Sequence, residues 1–150
     1  MPQGAITALL KGQEYVENSG LDRKLIKLIQ MRVSLINSCA YCIDMHYKEA
    51  VAAGETVLRL ISVSAWRETN YYSPKERAVL AFAEKLTYLP ANEESEGIHD
   101  ELSKYFSKEE IVFLTLAVIQ INSWNRLVRS FGPVAGNYEV NKKHRAVNAH

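Results

Sequence analysis

The sequence predicts an all-α chain, a helical bundle with no sheet, and three observations carry that expectation. Apolar residues recur at intervals of three and four along almost every long segment. No stretch shows sustained apolar–polar alternation, the mark of a strand. Two capping boxes, Ser73-Pro74-Lys75-Glu76 and Ser107-Lys108-Glu109-Glu110, announce helix starts, each with a serine whose side chain accepts from the backbone three residues on.

The elements follow in order. A first helix is expected from about Ala5 to Val16, with Ile6, Leu9, Leu10 and Gln13 on one face, before Asn18-Ser19-Gly20 breaks it. Leu21, Leu25, Leu28, Ile29, Val33 and Ile36 define a second helix, with Asp22 as its N-cap. Asn37-Ser38 interrupts it, and a third helix begins at Ser38 or Cys39 and ends at Gly54. A shorter one runs from Glu55 to Trp66, with Val57, Leu58, Ile61 and Ala65 inward. Asn70-Tyr71-Tyr72 reads as a loop. The helix opened by Ser73 carries Val79, Leu80, Phe82, Ala83 and Leu86 and stops at Pro90. After a polar loop from Ala91 to Glu96, a helix passes through Ile98, Leu102 and Tyr105-Phe106. The longest helix, about Lys108 to Phe131, ends at Gly132-Pro133. It is apolar on almost all sides through Ile121, which predicts a central place or an oligomer interface.

Composition bounds the function. A chain of 150 residues is most simply one domain, here with its core over about 20–131 and a polar tail over about 137–150. A net charge of +1 provides no general attraction for nucleic acid or an anionic membrane. The basic cluster Lys142-Lys143-His144-Arg145 is expected as a solvated chain end. The N-terminus lacks the charged and apolar regions of a signal peptide. The longest apolar run, Ile111 to Ile121, reads as too short to span a bilayer. A cytoplasmic location is the resulting expectation, and there a CxxC pair more often cycles or binds metal than forms a static staple.

All the cysteine lies in Cys39-Ala40-Tyr41-Cys42-Ile43-Asp44-Met45-His46. On a helix, Cys39, Cys42 and His46 fall within a sector of roughly 60° and can share one pocket. Several readings compete: two inert buried thiols with a core histidine, a zinc site, a thioredoxin-type dithiol, or a cysteine-based peroxidase or disulfide reductase on a helical scaffold. A zinc site would need a fourth ligand from His99, His144, His150 or a carboxylate, none at a paired spacing. A thioredoxin-type site would follow a strand, and no convincing strand precedes these cysteines. In the peroxidase reading one thiolate attacks a peroxide O–O bond and the second cysteine condenses with the sulfenic acid. His46, one turn beyond Cys42, is placed to take its proton, which favours Cys42 as attacking thiol and Cys39 as resolving thiol.

The run Arg32-Val33-Ser34-Leu35-Ile36-Asn37-Ser38-Cys39 through His46 resembles the core motif of the alkylhydroperoxidase D-like proteins of the carboxymuconolactone decarboxylase superfamily. The likeness continues in Ala52-Ala53-Gly54-Glu55, Trp66-Arg67, Glu76-Arg77-Ala78, Glu84-Lys85-Leu86-Thr87 and Asn122-Ser123-Trp124-Asn125-Arg126. It implies an all-α bundle assembled as a homo-oligomer, a trimer or hexamer, with antioxidant thiol peroxidase activity toward hydrogen peroxide or organic hydroperoxides. It further implies re-reduction of a Cys39–Cys42 disulfide by a dithiol partner, protein or lipoyl-type, and no bound metal or organic cofactor. Members without the cysteines include a decarboxylase, so a decarboxylase or lactone-processing enzyme and a non-catalytic redox sensor are the alternatives.

One departure bears on mechanism. The family prototype has a glutamate twelve residues before the first cysteine, and that position here is Lys27. The missing carboxylate is sought in Glu84, placed mid-helix among apolar residues, ahead of Glu49, which is expected to be solvated beside Lys48. Asn122, Trp124, Asn125 and Arg126 are expected to pin an interface in preference to bordering the pocket. Tyr41 and Tyr72 are read as packing residues.

Overall fold

The computed structural model describes residues 2–92 and 97–141. Six α-helices lie among them: α1 (Gln3–Glu17), α2 (Arg23–Ile36), α3 (Ala40–Ala52), α4 (Val57–Ser62), α5 (Pro74–Tyr88) and α6 (Lys108–Phe131). The fold is the all-α one that the periodicity predicts. Part of the expected polar loop, 93–96, and the basic cluster Lys142-Lys143-His144-Arg145 lie outside the described residues.

Capping chemistry sets most boundaries. Asp22 accepts from the Lys24 backbone to start α2, and both serine capping boxes are complete, with Glu76 and Glu110 reaching back to the Ser73 and Ser107 amides. Helix α2 packs against α3, α5 and α6, so it is the hub of the bundle. One core cluster joins α2 to α1, α5 and α6 through Leu25, Ile29, Val33, Val79, Leu114 and Val118. A second joins α2 to the α3–α4 region through Leu28, Met31, Ala50, Leu60, Val63 and Trp66. Each fully buried aliphatic side chain contributes about 2 kcal/mol by its removal from water.

Three expectations change. The segment after Gly54 is not one helix: α4 gives way to a 3-10 stretch, Val63–Glu68, bent at Ala65. Its inward residues are Leu60, Val63 and Trp66, while Leu58 and Ile61 are 52% and 62% exposed. The segment has two apolar stripes, and periodicity alone does not choose between them; burial of Trp66 does. The helix expected through Ile98 and Phe106 is instead a series of turns with one short 3-10 segment, Leu102–Lys104, although Leu102 and Phe106 are buried as an inward face requires.

The third change concerns α6, which is long and apolar enough to cross a bilayer by length and composition. Judging the region by the run Ile111–Ile121 alone understated it. In this fold its stripe Ile111, Leu114, Val118 and Ile121 is buried in the core cluster. Lower on the same helix, Asn125 accepts from Asn37 and donates to Ser34, while Asn122 donates to Thr87. These asparagines pin α6 to α2 and α5 inside the chain, satisfying buried amides that would otherwise be costly.

Candidate active site

The turn between α2 and α3 builds the site. Ser38 takes a left-handed conformation, φ 51°, so the Cys39 amide turns back to donate to the Ser34 carbonyl and the Ser38 amide to Leu35. This Schellman closure satisfies the end of α2 and drives the next residue into the interior. Cys39 is the N-cap of α3, not a residue of its first turn, and Cys42 is the third helical residue. The two form a disulfide, with Cα atoms 5.2 Å apart, and both side chains are buried. In the dithiol form, Cys42 is the sulfur set inside the first turn, where free backbone N–H groups and the helix dipole favour a thiolate.

One turn on, His46 is 3% exposed. Its Nδ1 lies 3.3 Å from Glu49 Oε2. Burial pushes the imidazole below its ordinary value of 6.5, only partly opposed by Glu49, so the ring is neutral at neutral pH. A neutral ring that donates from Nδ1 to a carboxylate carries its lone pair on Nε2.

Glu49 is held from three sides. Lys27 Nζ donates to Oε2 at 2.6 Å and the Tyr138 hydroxyl donates to Oε1 at 2.7 Å, opposite His46. Burial alone would raise this carboxyl, but His46 and Lys27 outweigh it and hold Glu49 well below the usual carboxylate range. The residue expected to be solvated is therefore the carboxylate in contact with His46. Lys27, where the family prototype has an acid, supplies the cation that keeps it ionised.

Glu84 requires the opposite correction. It is buried as expected, but it accepts from Arg32 Nε at 2.8 Å, Trp66 Nε1 at 2.7 Å and Arg67 Nη1 at 2.6 Å. Arg67 and Arg77 also lie against the Trp66 ring. Glu84 is absent from the wall of the cavity that Cys42, His46 and Glu49 share. A buried glutamate needs a partner, and here two arginines and an indole provide it away from the dithiol.

That cavity, about 340 Å³, is lined by α1, α2, α3, α6 and the extended Gly132-Pro133 segment. Trp124 borders it, whereas Asn122 and Asn125 serve the helix interface described above. Tyr41 lines it too and packs edge-on against Tyr138, while Tyr72 is a buried packing residue whose hydroxyl donates to the Arg59 carbonyl. Tyr138 belongs to the stretch expected as a polar tail. Over 136–138 the chain is tied to α3: the Gly136 amide donates to Asp44, and Lys48 donates to the Gly136 and Tyr138 carbonyls. Sequence reading missed Tyr138 because nothing local marks a lone tyrosine after a helix end as a return contact. Glu49 did carry a signal, lying three residues after His46 on the cysteine face.

Comparison with known proteins agrees with the all-α fold. Residues 3–85 match the carboxymuconolactone decarboxylase family, an enzyme family. The chain is 36% identical over 131 residues to the uncharacterized protein YdfG of Bacillus subtilis, covering 87% of this chain and 88% of that one. A protein of unknown function from Agrobacterium tumefaciens, ATU0492, provisionally assigned to antioxidant defence as AhpD, superposes with a TM-score of 0.80 at 38% identity. That match covers 87% of this chain and 91% of the other. The alkylhydroperoxidase AhpD core of a peroxidase-related protein from Ralstonia eutropha shares the fold, with a TM-score of 0.74 at 20% identity over 95% and 73% of the two chains. The chain belongs to the carboxymuconolactone decarboxylase family as an alkylhydroperoxidase D-like protein.

Proposed function

We propose that the protein is a thiol-dependent peroxidase that cycles between a Cys39–Cys42 dithiol and disulfide. The observation that carries this reading is a dithiol able to close, with Cys42 and a neutral, carboxylate-held His46 on the wall of the same cavity. His46 Nε2 takes the Cys42 proton. The thiolate attacks the terminal oxygen of R–O–O–H, the O–O bond breaks, and His46 returns the proton to the departing alkoxide. Products are R–OH and a Cys42 sulfenic acid. The Cys39 thiol then displaces water from that sulfur and the disulfide forms. An external dithiol, in a reducing compartment such as the cytoplasm, supplies the two electrons and two protons that reopen it. Glu49 acts through His46, fixing its tautomer, and is a positioning residue.

A homo-oligomer is part of the same reading, supported by exposed Leu58 and Ile61 on α4 and Val112 and Ile119 on α6. The test is peroxide consumption with a dithiol reductant, using wild type, Cys42→Ser and Cys39→Ser. Wild type turns over, Cys42→Ser is inert, and Cys39→Ser gives one oxidation without turnover. A wild type that consumes no peroxide with any dithiol yet forms the disulfide reversibly would leave a redox sensor instead.

A further inference from the structure

Beyond α6 the chain turns back onto α3, and named contacts hold it there. Gly136 has φ 108°, a left-handed conformation that a side chain would strain. Its amide donates to Asp44 Oδ2 at 3.1 Å, and Lys48 Nζ donates to the Gly136 and Tyr138 carbonyls at 3.3 and 2.9 Å. Asp44 and Lys48 are themselves paired at 2.8 Å, one helical turn apart. The return delivers the Tyr138 ring edge-on to Tyr41, with centroids 6.4 Å apart, and its hydroxyl to Glu49.

What that hydroxyl does follows from how the other donors sit. Lys27 and His46 both meet Oε2 of Glu49, at 2.6 and 3.3 Å. Two contacts to one oxygen leave the carboxylate free to turn about that atom, and the shorter, charged contact competes with the imidazole for it. Among the described residues Tyr138 alone holds Oε1, at 2.7 Å. A donor on the second oxygen fixes the carboxylate plane. Burial and the Glu49 contact both raise the Tyr138 hydroxyl above its ordinary 10, so it is a donor at neutral pH.

We propose that Tyr138 is a positioning residue, whose hydroxyl locks Glu49 in the orientation that keeps the His46 proton on Nδ1 and the Nε2 lone pair free for Cys42. Tyr138 stands apart from the chemistry. It lies off the wall of the cavity that Cys42 and His46 share, and lines a separate hollow with Tyr47, Lys48 and Val51. It acts through Glu49 and then His46. The proposal rests on the peroxidase reading for the use made of that lone pair, whereas the place of the proton is independent of it.

Nitrogen-15 NMR of the full chain in its disulfide form reads the His46 tautomer at about pH 7.5, where the imidazole is neutral. The His46 signals are identified by their loss in His46→Gln. In the wild type the proton is on Nδ1. Tyr138→Phe keeps the ring and lowers the ratio of Nδ1–H to Nε2–H about threefold or more, as expected for loss of one charge-assisted hydrogen bond. It also slows oxidation of the pre-reduced dithiol by cumene hydroperoxide by about the same factor. Tyr47→Phe, which removes a phenol hydroxyl from the same hollow, changes neither, and thermal unfolding confirms that both variants are folded. A wild-type proton on Nε2, an unchanged ratio in Tyr138→Phe, a loss shared by Tyr47→Phe, or an unchanged rate where the wild type does reduce the peroxide would overturn the proposal. A shifted ratio in a protein that reduces no peroxide supports the positioning and removes the peroxidase reading. Peroxide reduction with an unchanged ratio does the reverse.

Discussion

Glu49 and Glu84 are two mid-helix carboxylates, both largely buried and both charge-paired, yet their surroundings assign them different work. Among the described residues Glu84 accepts from Arg32, Arg67 and the Trp66 indole, two guanidinium donors and an indole N–H. Burial would raise its carboxyl, and these three donors reverse that and lower it. It is a fixed anion that ties α2, α5 and the 3-10 stretch together. Glu49 shares one oxygen between Lys27 and His46, an imidazole that burial holds below its ordinary value. A carboxylate among arginines holds a fold; a carboxylate against a buried histidine sets where a proton resides.

The largest expected effect strikes the structural member of the pair. Glu84→Ala strands Arg32 and the Trp66 N–H in the interior and lowers stability by about 3–5 kcal/mol in urea unfolding. The proposed peroxidase activity per folded molecule stays near wild type, and a loss of activity that outruns unfolding would erase the distinction. Glu49→Gln does the opposite. It keeps the shape of the site but weakens its hold on the His46 tautomer, lowering the second-order rate with peroxide about tenfold or more. The stability cost is about 1 kcal/mol, since Lys27 retains access to solvent. Equal activity at every pH would show that Glu49 is packing alone.

The smallest effect is in pH. His46 has a folded pKa below 6.5, so the unfolded chain binds its proton more readily. The stability this contributes is complete above pH 6.5 and is lost as pH falls from there through the folded value. Glu49, also depressed, adds a second loss below its ordinary 4.5. His46→Gln flattens the first limb of the stability profile and shrinks the second, because His46 is one of the partners that depress Glu49, whereas Glu84→Gln leaves the first unchanged. Urea midpoints measured between about pH 2 and pH 8 read both.

Much of the fold is legible before any coordinates. Helix periodicity, Asp22, the serine capping boxes and the Gly132-Pro133 stop place α2, α5 and α6 within a residue or two. Those are local signals, set by neighbours three or four residues apart. The α4 region escapes them because Val57, Leu58, Leu60, Ile61 and Val63 offer two apolar faces, and only packing of Trp66 against the core selects one.

The same division runs through the site. The sequence by itself determined the dithiol and its histidine, since Cys39, Cys42 and His46 share a helical face by spacing alone. Which carboxylate serves His46 was decided by tertiary structure. Lys27 comes from α2 and Tyr138 from beyond α6, and together with His46 they capture Glu49, while Arg32 and Arg67 capture Glu84. The cavity likewise exists only because α1, α2, α3 and α6 converge. Its lining residues, far apart along the chain, have no common signature in sequence. Helix spacing is a short-range property of the backbone; the partner of a buried charge is a long-range one, settled by which donors the packed helices bring to it.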